Sequence, residues 1–398
     1  MDYDDVFVLD NGACTAKAGF ASSDDARIIP NCIMKAKSER RRPFIGDQVE
    51  ECRDASGLFY ILPFQKGYLI NWDVQKNIWD YIFSAECLPV NFPETPVVIT
   101  EPYFNFNSCK EAMTEIFFEE YDCHSLLRIN AGDLSSYHYF NTNQNSLCCL
   151  LVDVGYSFTH IVPYIKGKKL KNGIRRIDIG GKVLTNHLKE ITSYRQLHVM
   201  DETYVMNQVK EDACFVSLDF YKDMKIAQKR GKENTIVRDY VLPDYTSIRR
   251  GYVKDPAVAP SGEDGDQQTL RLNNERFTVP ELLFNPSDVG ITQMGIVEAI
   301  VDSLSVCPAE THPHLYRNIM LVGGSTLFPG FRDRVCKEVR TLAPCDFDVN
   351  VTLAKNPITY SWNGGRLLTQ DPEFSSRLVS KDEYEDHGYN ICLDRFDV

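Results

Sequence analysis

The stretch VFVLDNGACTAKAGF, residues 6–20, opens as an apolar run, breaks at Asp10-Asn11-Gly12 and resumes as a strand of small residues. A second stretch, LLVDVGYSFTHIVPY at 150–164, has the same shape: apolar run, Asp153, Gly155, then a β-rich run. An Asp-x-Gly hairpin tip presents backbone N–H groups to an anion, and glycine lets the backbone come close because it has no Cβ. The carboxylate can hold Mg²⁺ through water, and a nearby lysine neutralises phosphate oxygens. Asp10, Gly12 and Lys17 supply these parts in the first unit, and Asp153 and Gly155 in the second. One Asp-x-Gly is an everyday turn. Two of them, each behind an apolar strand, predict a duplicated phosphate clamp. MLVGGSTLFPGF, residues 320–331, adds a third glycine turn between strand and helix. Its Gly323-Gly324 pair suits close approach of backbone to a base or sugar, although an ordinary strand–helix turn would read the same way.

The rest of the chain is consistent with an α/β protein. Short β-rich runs (VFVLD, VVIT at 97–100, LCCLLVDV at 147–154, NIMLVGG at 318–324) alternate with amphipathic segments such as CKEAMTEIFFEEY and GFRDRVCKEVRTL. That alternation predicts partly parallel sheets. With 398 residues there is room for two α/β domains. The net charge of −13 argues against broad, unspecific binding to DNA or to an anionic membrane. No stretch approaches the roughly 20 apolar residues of a membrane helix, so no membrane association is expected. The 13 cysteines are scattered, with no CxxC, which predicts reduced, mostly buried thiols and no metal cluster. KGKKLKNGIRR, 166–176, is the one dense basic run and reads as a solvated hairpin tip, with nuclear targeting or an acidic partner as the other readings. Ser38 to Arg42 form a smaller basic spot, and the Pro-, Gly- and acid-rich segment 254–268 reads as an exposed loop.

Taken together, these motifs resemble the actin family. The first loop resembles that family's LDNGSG…KAGF, the second its VLDSGDGVTH, and the third its adenosine-contacting GG turn. VVITEPYFNF, VKEDACFVSLDF, PITYSWNGG and SKDEYEDHG resemble further family segments in the same order. DASGLFYILPFQKGYLINWDVQ and LTNHLKEITSYRQLHVMDETYVMNQVKED resemble a nuclear actin-related branch. The resemblance implies an actin-like ATPase fold: two ribonuclease-H-like halves, each with a smaller inserted subdomain, and nucleotide between them. On this reading the first half spans 1–140 plus 333–398 with an insertion near 31–64, and the second spans 141–332 with an insertion near 177–267. It also implies that Lys210, Glu211, Gly323 and Gly324 contact adenosine; two readings stay open, ATP with Mg²⁺ as a static ligand or a relic cleft with no nucleotide.

Several positions depart from the family pattern. Ala13 stands where actins have a serine that hydrogen-bonds the terminal phosphate, and Cys14 replaces a glycine beside it. Tyr156 replaces an aspartate that helps to hold Mg²⁺. Asn130 stands where a glutamine orients the attacking water, Asn207 replaces an arginine and Ile358 a lysine beside the base. Phosphoryl transfer depends on positioning and charge stabilisation, so no useful ATPase is expected, and the chain is expected not to be an enzyme. The resemblance implies a scaffold subunit of a nuclear SWR-type remodeller that exchanges a variant core histone into nucleosomes. Its partners would be the motor ATPase subunit, a zinc-finger HIT-domain subunit, histones and the nucleosome, with DNA contact. The location would be nuclear, with a cytoplasmic share left open, and no self-filament is expected. The alternative reading is an actin-like ATP-binding protein that polymerises or slowly hydrolyses ATP. A sugar-kinase-like or chaperone-like member of the superfamily fits the C-terminal SKDEYEDHG less well.

Overall fold

A computed structural model describes residues 5–37, 42–54, 57–255 and 267–398. The strands that frame the molecule are, in chain order, β1 (Phe7–Asn11), β2 (Thr15–Phe20), β3 (Arg27–Pro30), β4 (Pro96–Glu101), β5 (Ser125–Asn130), β6 (Cys148–Val154), β7 (Thr159–Ile165), β8 (Lys168–Lys169), β9 (Arg175–Ile177), β10 (Ile319–Val322), β11 (Val351–Leu353) and β12 (Val379–Ser380). They form two six-stranded sheets. The first runs β12-β5-β4-β1-β2-β3; the second runs β8-β7-β6-β10-β11, with β9 also paired to β7. Each sheet starts from a hairpin: β1 pairs antiparallel with β2 and parallel with β4, and β6 pairs antiparallel with β7 and parallel with β10. Strands covered on both faces read as continuous apolar runs, and β1 is buried along its whole length, as is β4.

The helices used below are α1 (Ala131–Thr142), α2 (Gly181–Arg195), α3 (Thr203–Ala213), α4 (Phe220–Ala227), α5 (Phe331–Leu342) and α6 (Tyr360–Leu368). Helix α6 lies directly on α1. An added Cβ on Gly364 would sit 1.9 Å from the Leu134 carbonyl oxygen, so only bare backbone allows that approach. The buried Trp362 indole donates from Nε1 to the Val8 carbonyl at 3.1 Å, which fixes α6 against β1.

Two of the expected boundaries move. The second half does not end at 332. Phe331, Val335 and Val339 of α5 and Val351 of β11 all lie in the second core, and β11 pairs parallel with β10. A parallel pair needs a crossover, and α5 is that crossover, so the β10–α5–β11 unit cannot be divided at 333. The second inserted sheet comprises Arg238–Val241, Tyr252–Val253 and Thr269–Leu272, and its last strand lies beyond 267. The first inserted sheet comprises Ile33–Lys35, Pro43–Ile45 and Phe59–Ile61. The basic spot at 38–42 and the loop at 254–268 fall largely outside the described residues.

The halves are joined at three levels. At the top the inserts touch: Tyr204 and Tyr245 pack on the first insert's small core, and the Glu202 carboxylate accepts from the Gly57 amide at 2.9 Å. In the middle the Arg176 guanidinium lies between the Tyr68 ring at 4.4 Å and the Phe158 ring at 4.7 Å and donates to the Lys66 carbonyl. At the bottom the basic run 166–176 is largely consumed by acids. Lys169 is nearly buried and pairs with Asp133 at 2.8 Å, Arg175 pairs with Asp302, and Arg176 with Asp178. Lys171 reaches Asp397 at 2.6 Å, and the Lys110 ammonium donates to the Val398 oxygen at 2.9 Å, so the C-terminal residues strap one half to the other. Asp397 is well exposed, and exposed pairs contribute no more than about 1 kcal/mol. Asp397→Asn is therefore expected to leave the melting temperature nearly unchanged while raising amide exchange over 389–398 at low salt. Equal exchange in both proteins would show that the strap holds without this carboxylate.

All thirteen cysteines are free thiols, and no helix among the described residues is long and apolar enough to cross a membrane.

Candidate functional site

The two hairpin tips and the Gly323-Gly324 turn line one cleft of about 510 Å³, a size typical of small-molecule sites. Each tip is shaped by local sequence. The Gly12 amide turns back to the Asp10 carbonyl at 3.1 Å, and the Gly155 amide to Phe158 at 3.0 Å. The amides of Ala13, Cys14, Tyr156 and Ser157 take no partner among the described residues. Gly323 has φ +92°, and a Cβ there would lie 2.6 Å from Asp153 Oδ1 and 2.5 Å from the Val154 oxygen. Only glycine brings this turn so close to the second tip.

Two aspartates from the hairpin tips face the cleft. Asp10 accepts from the Thr100 hydroxyl at 2.8 Å and pairs with the Lys17 ammonium at 3.2 Å. Asp153 has no such support among the described residues. Burial, with Asp10 as a like-charged neighbour and Lys17 opposing, pushes its carboxyl up to about 6. A carboxylate pair with one lysine and free amides above it fits a Mg²⁺–phosphate group: the acids would hold the cation, directly or through water, and Lys17 with the amides would hold phosphate oxygens. No group of three or more His, Cys, Asp or Glu side chains among the described residues could hold a metal by itself. The buried His160 imidazole is drawn down to about 3 by burial and by Arg176, so it is neutral, and its Nε2 has no partner among the described residues.

With this geometry in place, the relatives are informative. The sequence model of the family described as Actin matches residues 1–397. The chain belongs to the actin family. Actin-related protein 6 of Drosophila melanogaster is 50% identical over 389 residues, covering 96% of this chain and 98% of the relative. Proteins of the same name from Oryza sativa subsp. japonica and Arabidopsis thaliana are 38% and 37% identical, each over 98% of this chain and over 98% and 99% of their own lengths. The α/β architecture is accordingly the actin-like fold.

Within this actin-family cleft, the expected residues divide into two groups. Asp10, Gly12, Ala13, Cys14, Lys17, Asp153, Gly155, Tyr156, Lys210, Glu211, Gly323, Gly324 and Ile358 all line it. Asn130 and Asn207 do not. Asn130 is fully buried; its Oδ1 accepts from Lys169 at 2.8 Å and its Nδ2 donates to the Glu101 carbonyl at 3.2 Å. Both ends of the amide are engaged within the protein, and the side chain does not line the cleft. It belongs to a buried network in which Tyr103 meets Tyr164 at 2.6 Å and Tyr164 donates to Asp133 at 2.7 Å. Asn207 accepts from Thr185 and Lys210 and donates to Glu211.

Lys210 reaches the cleft wall, but its ammonium already has three acceptors: the Gly181 carbonyl, Thr185 Oγ1 and Asn207 Oδ1. A lysine has three donors, so Lys210 ties α3 to α2 and has none left for a ligand. Burial draws its pKa down, partly offset by Glu211. Ala13 offers a methyl group where a hydroxyl is expected. Tyr156 stands against α2: a Cβ on Gly181 would lie 3.3 Å from Tyr156 Cδ2, and burial pushes the phenol up. Sequence reading missed Thr100, Tyr103, Asp133 and Lys169. Thr100 and Tyr103 sit in VVITEPYFNF, which the sequence marks only as a strand followed by a family-like segment, and Asp133 and Lys169 meet only through the fold.

Proposed function

We propose that this chain is a non-hydrolysing actin-related scaffold subunit of a nuclear SWR-type chromatin remodeller. On this reading the remodeller's motor is a different subunit. The chain supports nucleosome engagement during exchange of a variant core histone, beside the motor ATPase subunit and a zinc-finger HIT-domain subunit, with contacts to histones and DNA. ATP with Mg²⁺ is a static ligand that joins the halves. The observation that carries the reading is the uncoupling of binding parts from cutting parts. Asp10, Lys17, Asp153 and the glycine turns converge on the cleft, while Asn130 is held by Lys169 and Ala13 and Tyr156 occupy the phosphate end. Positioned contacts of this kind each contribute on the order of 10²-fold to a rate, and several are absent together.

The nucleotide released from the denatured, gel-filtered protein tests this reading. Stoichiometric ATP and a steady monomer in Mg²⁺–ATP are expected. Stoichiometric ADP with continuing turnover, or filaments, would replace it with a polymerising actin-like ATPase.

A further inference from the structure

The basic run 166–176 is mostly neutralised within the fold, but a second set of cations is not. Around α4 lie Lys222, Lys225, Lys229, Arg230 and Lys232, all exposed. Their one ion pair among the described residues is Lys229–Glu233 at 4.0 Å. Two nearby acids are committed elsewhere: Asp219 caps the helix by accepting from the Lys222 amide at 3.1 Å, and Asp223 accepts from Ser217 at 2.6 Å. Lys337 of α5 borders the same face and donates to the Leu218 carbonyl at 2.8 Å.

Helical spacing explains the exposure. Phe220, Met224 and Ala227 recur on one face and pack with Phe277 in a small core. The intervening positions 221, 222 and 225 are left outward, and the chain beyond the helix continues the face at 229. Beside the cations stand two apolar side chains that remain open to solvent: Leu218 is 46% exposed and Tyr221 78% exposed.

We infer that this α4 face is a docking surface for an acidic protein segment that carries apolar anchors. Unpaired lysines complement carboxylates, and the charge steers encounter and fixes register. Leu218 and Tyr221 supply apolar contact that a carboxylate-rich segment with Leu or Phe side chains can cover, and tyrosine is a frequent interface anchor. An aliphatic side chain such as Leu218 adds nothing to a phosphate backbone. The set is also lysine-rich, whereas bidentate phosphate recognition favours arginine. The net charge of −13 does not cancel the patch, because fields from the rest of the surface decay over about 8 Å at physiological salt. The inference rests on the reading of the chain as an interaction subunit.

Fluorescence anisotropy of the full chain tests it. The probe is a labelled acidic peptide with Leu and Phe interspersed among Glu and Asp. The wild-type chain is expected to bind it in a salt-dependent way. Lys222→Glu/Lys225→Glu/Lys229→Glu is expected to weaken binding by at least about tenfold. Leu218→Ser/Tyr221→Ser is expected to weaken it by about fivefold or more. Lys166→Glu/Lys168→Glu, on the other basic segment, is expected to change nothing. Replacement of the same three lysines by Gln serves if charge reversal disturbs folding. Absence of peptide binding, charge reversal without effect, or tighter binding of a DNA duplex that ignores Leu218→Ser would each overturn the inference. ATP turnover by the chain would overturn the scaffold reading while leaving this measurement untouched.

Discussion

Arg128→Leu is expected to destabilise the protein by about 3–5 kcal/mol, the usual consequence of removing one partner from a buried ion pair. Arg128 on β5 lies beside Glu101 on the neighbouring β4, with Nη1 3.1 Å from the carboxylate and both side chains fully shielded from solvent. Without the guanidinium, Glu101 keeps, among the described residues, only the Asn105 amide at 2.8 Å as a side-chain hydrogen-bond partner. The same cation lies against Tyr389 at 5.6 Å and Phe396 at 5.2 Å, so the C-terminal segment should loosen too. Urea denaturation reads the stability, and amide exchange over 389–398 reads the loosening. Arg128→Leu/Glu101→Gln should recover part of the loss, because the uncompensated charge is then gone. A single variant within about 1 kcal/mol of wild type would mean that water or a bound ion already screens this pair.

The second expected result concerns pH. Asp153 is held up to about 6 against an ordinary value of 3.8. Its folded state therefore binds the proton more tightly than the unfolded chain. The resulting stability is fully present below about pH 4 and is lost as pH rises through about 6. The shift corresponds to about 3 kcal/mol at one pK unit per 1.36 kcal/mol, and partial access to the cleft reduces this to about 1–3 kcal/mol. Asp153→Asn should accordingly stabilise the nucleotide-free protein at pH 7.5 and leave it unchanged near pH 4. Saturating Mg²⁺–ATP should narrow the difference at pH 7.5, because a bound cation favours the carboxylate that only wild type has. A variant less stable than wild type at both pH values would mean that Asp153 is stabilised as an anion by the tips themselves.

Much of this molecule is written locally. The alternation of apolar strand, Asp-x-Gly tip and second strand is a short-range pattern, and the close backbone approaches at Gly12 and Gly323 require glycine. These residues therefore came together in one cleft as their motifs predict. Apolar spacing likewise marked Phe331, Val335 and Val339 as one helical stripe, but not which core would cover it, and so the boundary at 333 was misplaced. The roles of Asn130 and Lys210 were also illegible. Each carries a polar end whose partner lies far along the chain, Lys169 for the first and Gly181 and Thr185 for the second.

The two basic segments make the same distinction. Composition alone marks 166–176 as a solvated hairpin tip, with nuclear targeting or an acidic partner as the other readings, and gives no special weight to the lysines between 222 and 232. Tertiary structure reversed the emphasis. It placed Asp133, Asp178, Asp302 and Asp397 against the first set and left the second largely unpaired. The sequence by itself determined the α/β alternation and the three glycine turns that meet in one cleft, because glycine turns and apolar periodicity act over a few residues. Only the tertiary structure decided which charges are spent and which remain free, because an ion pair depends on the distance between residues that the chain keeps far apart.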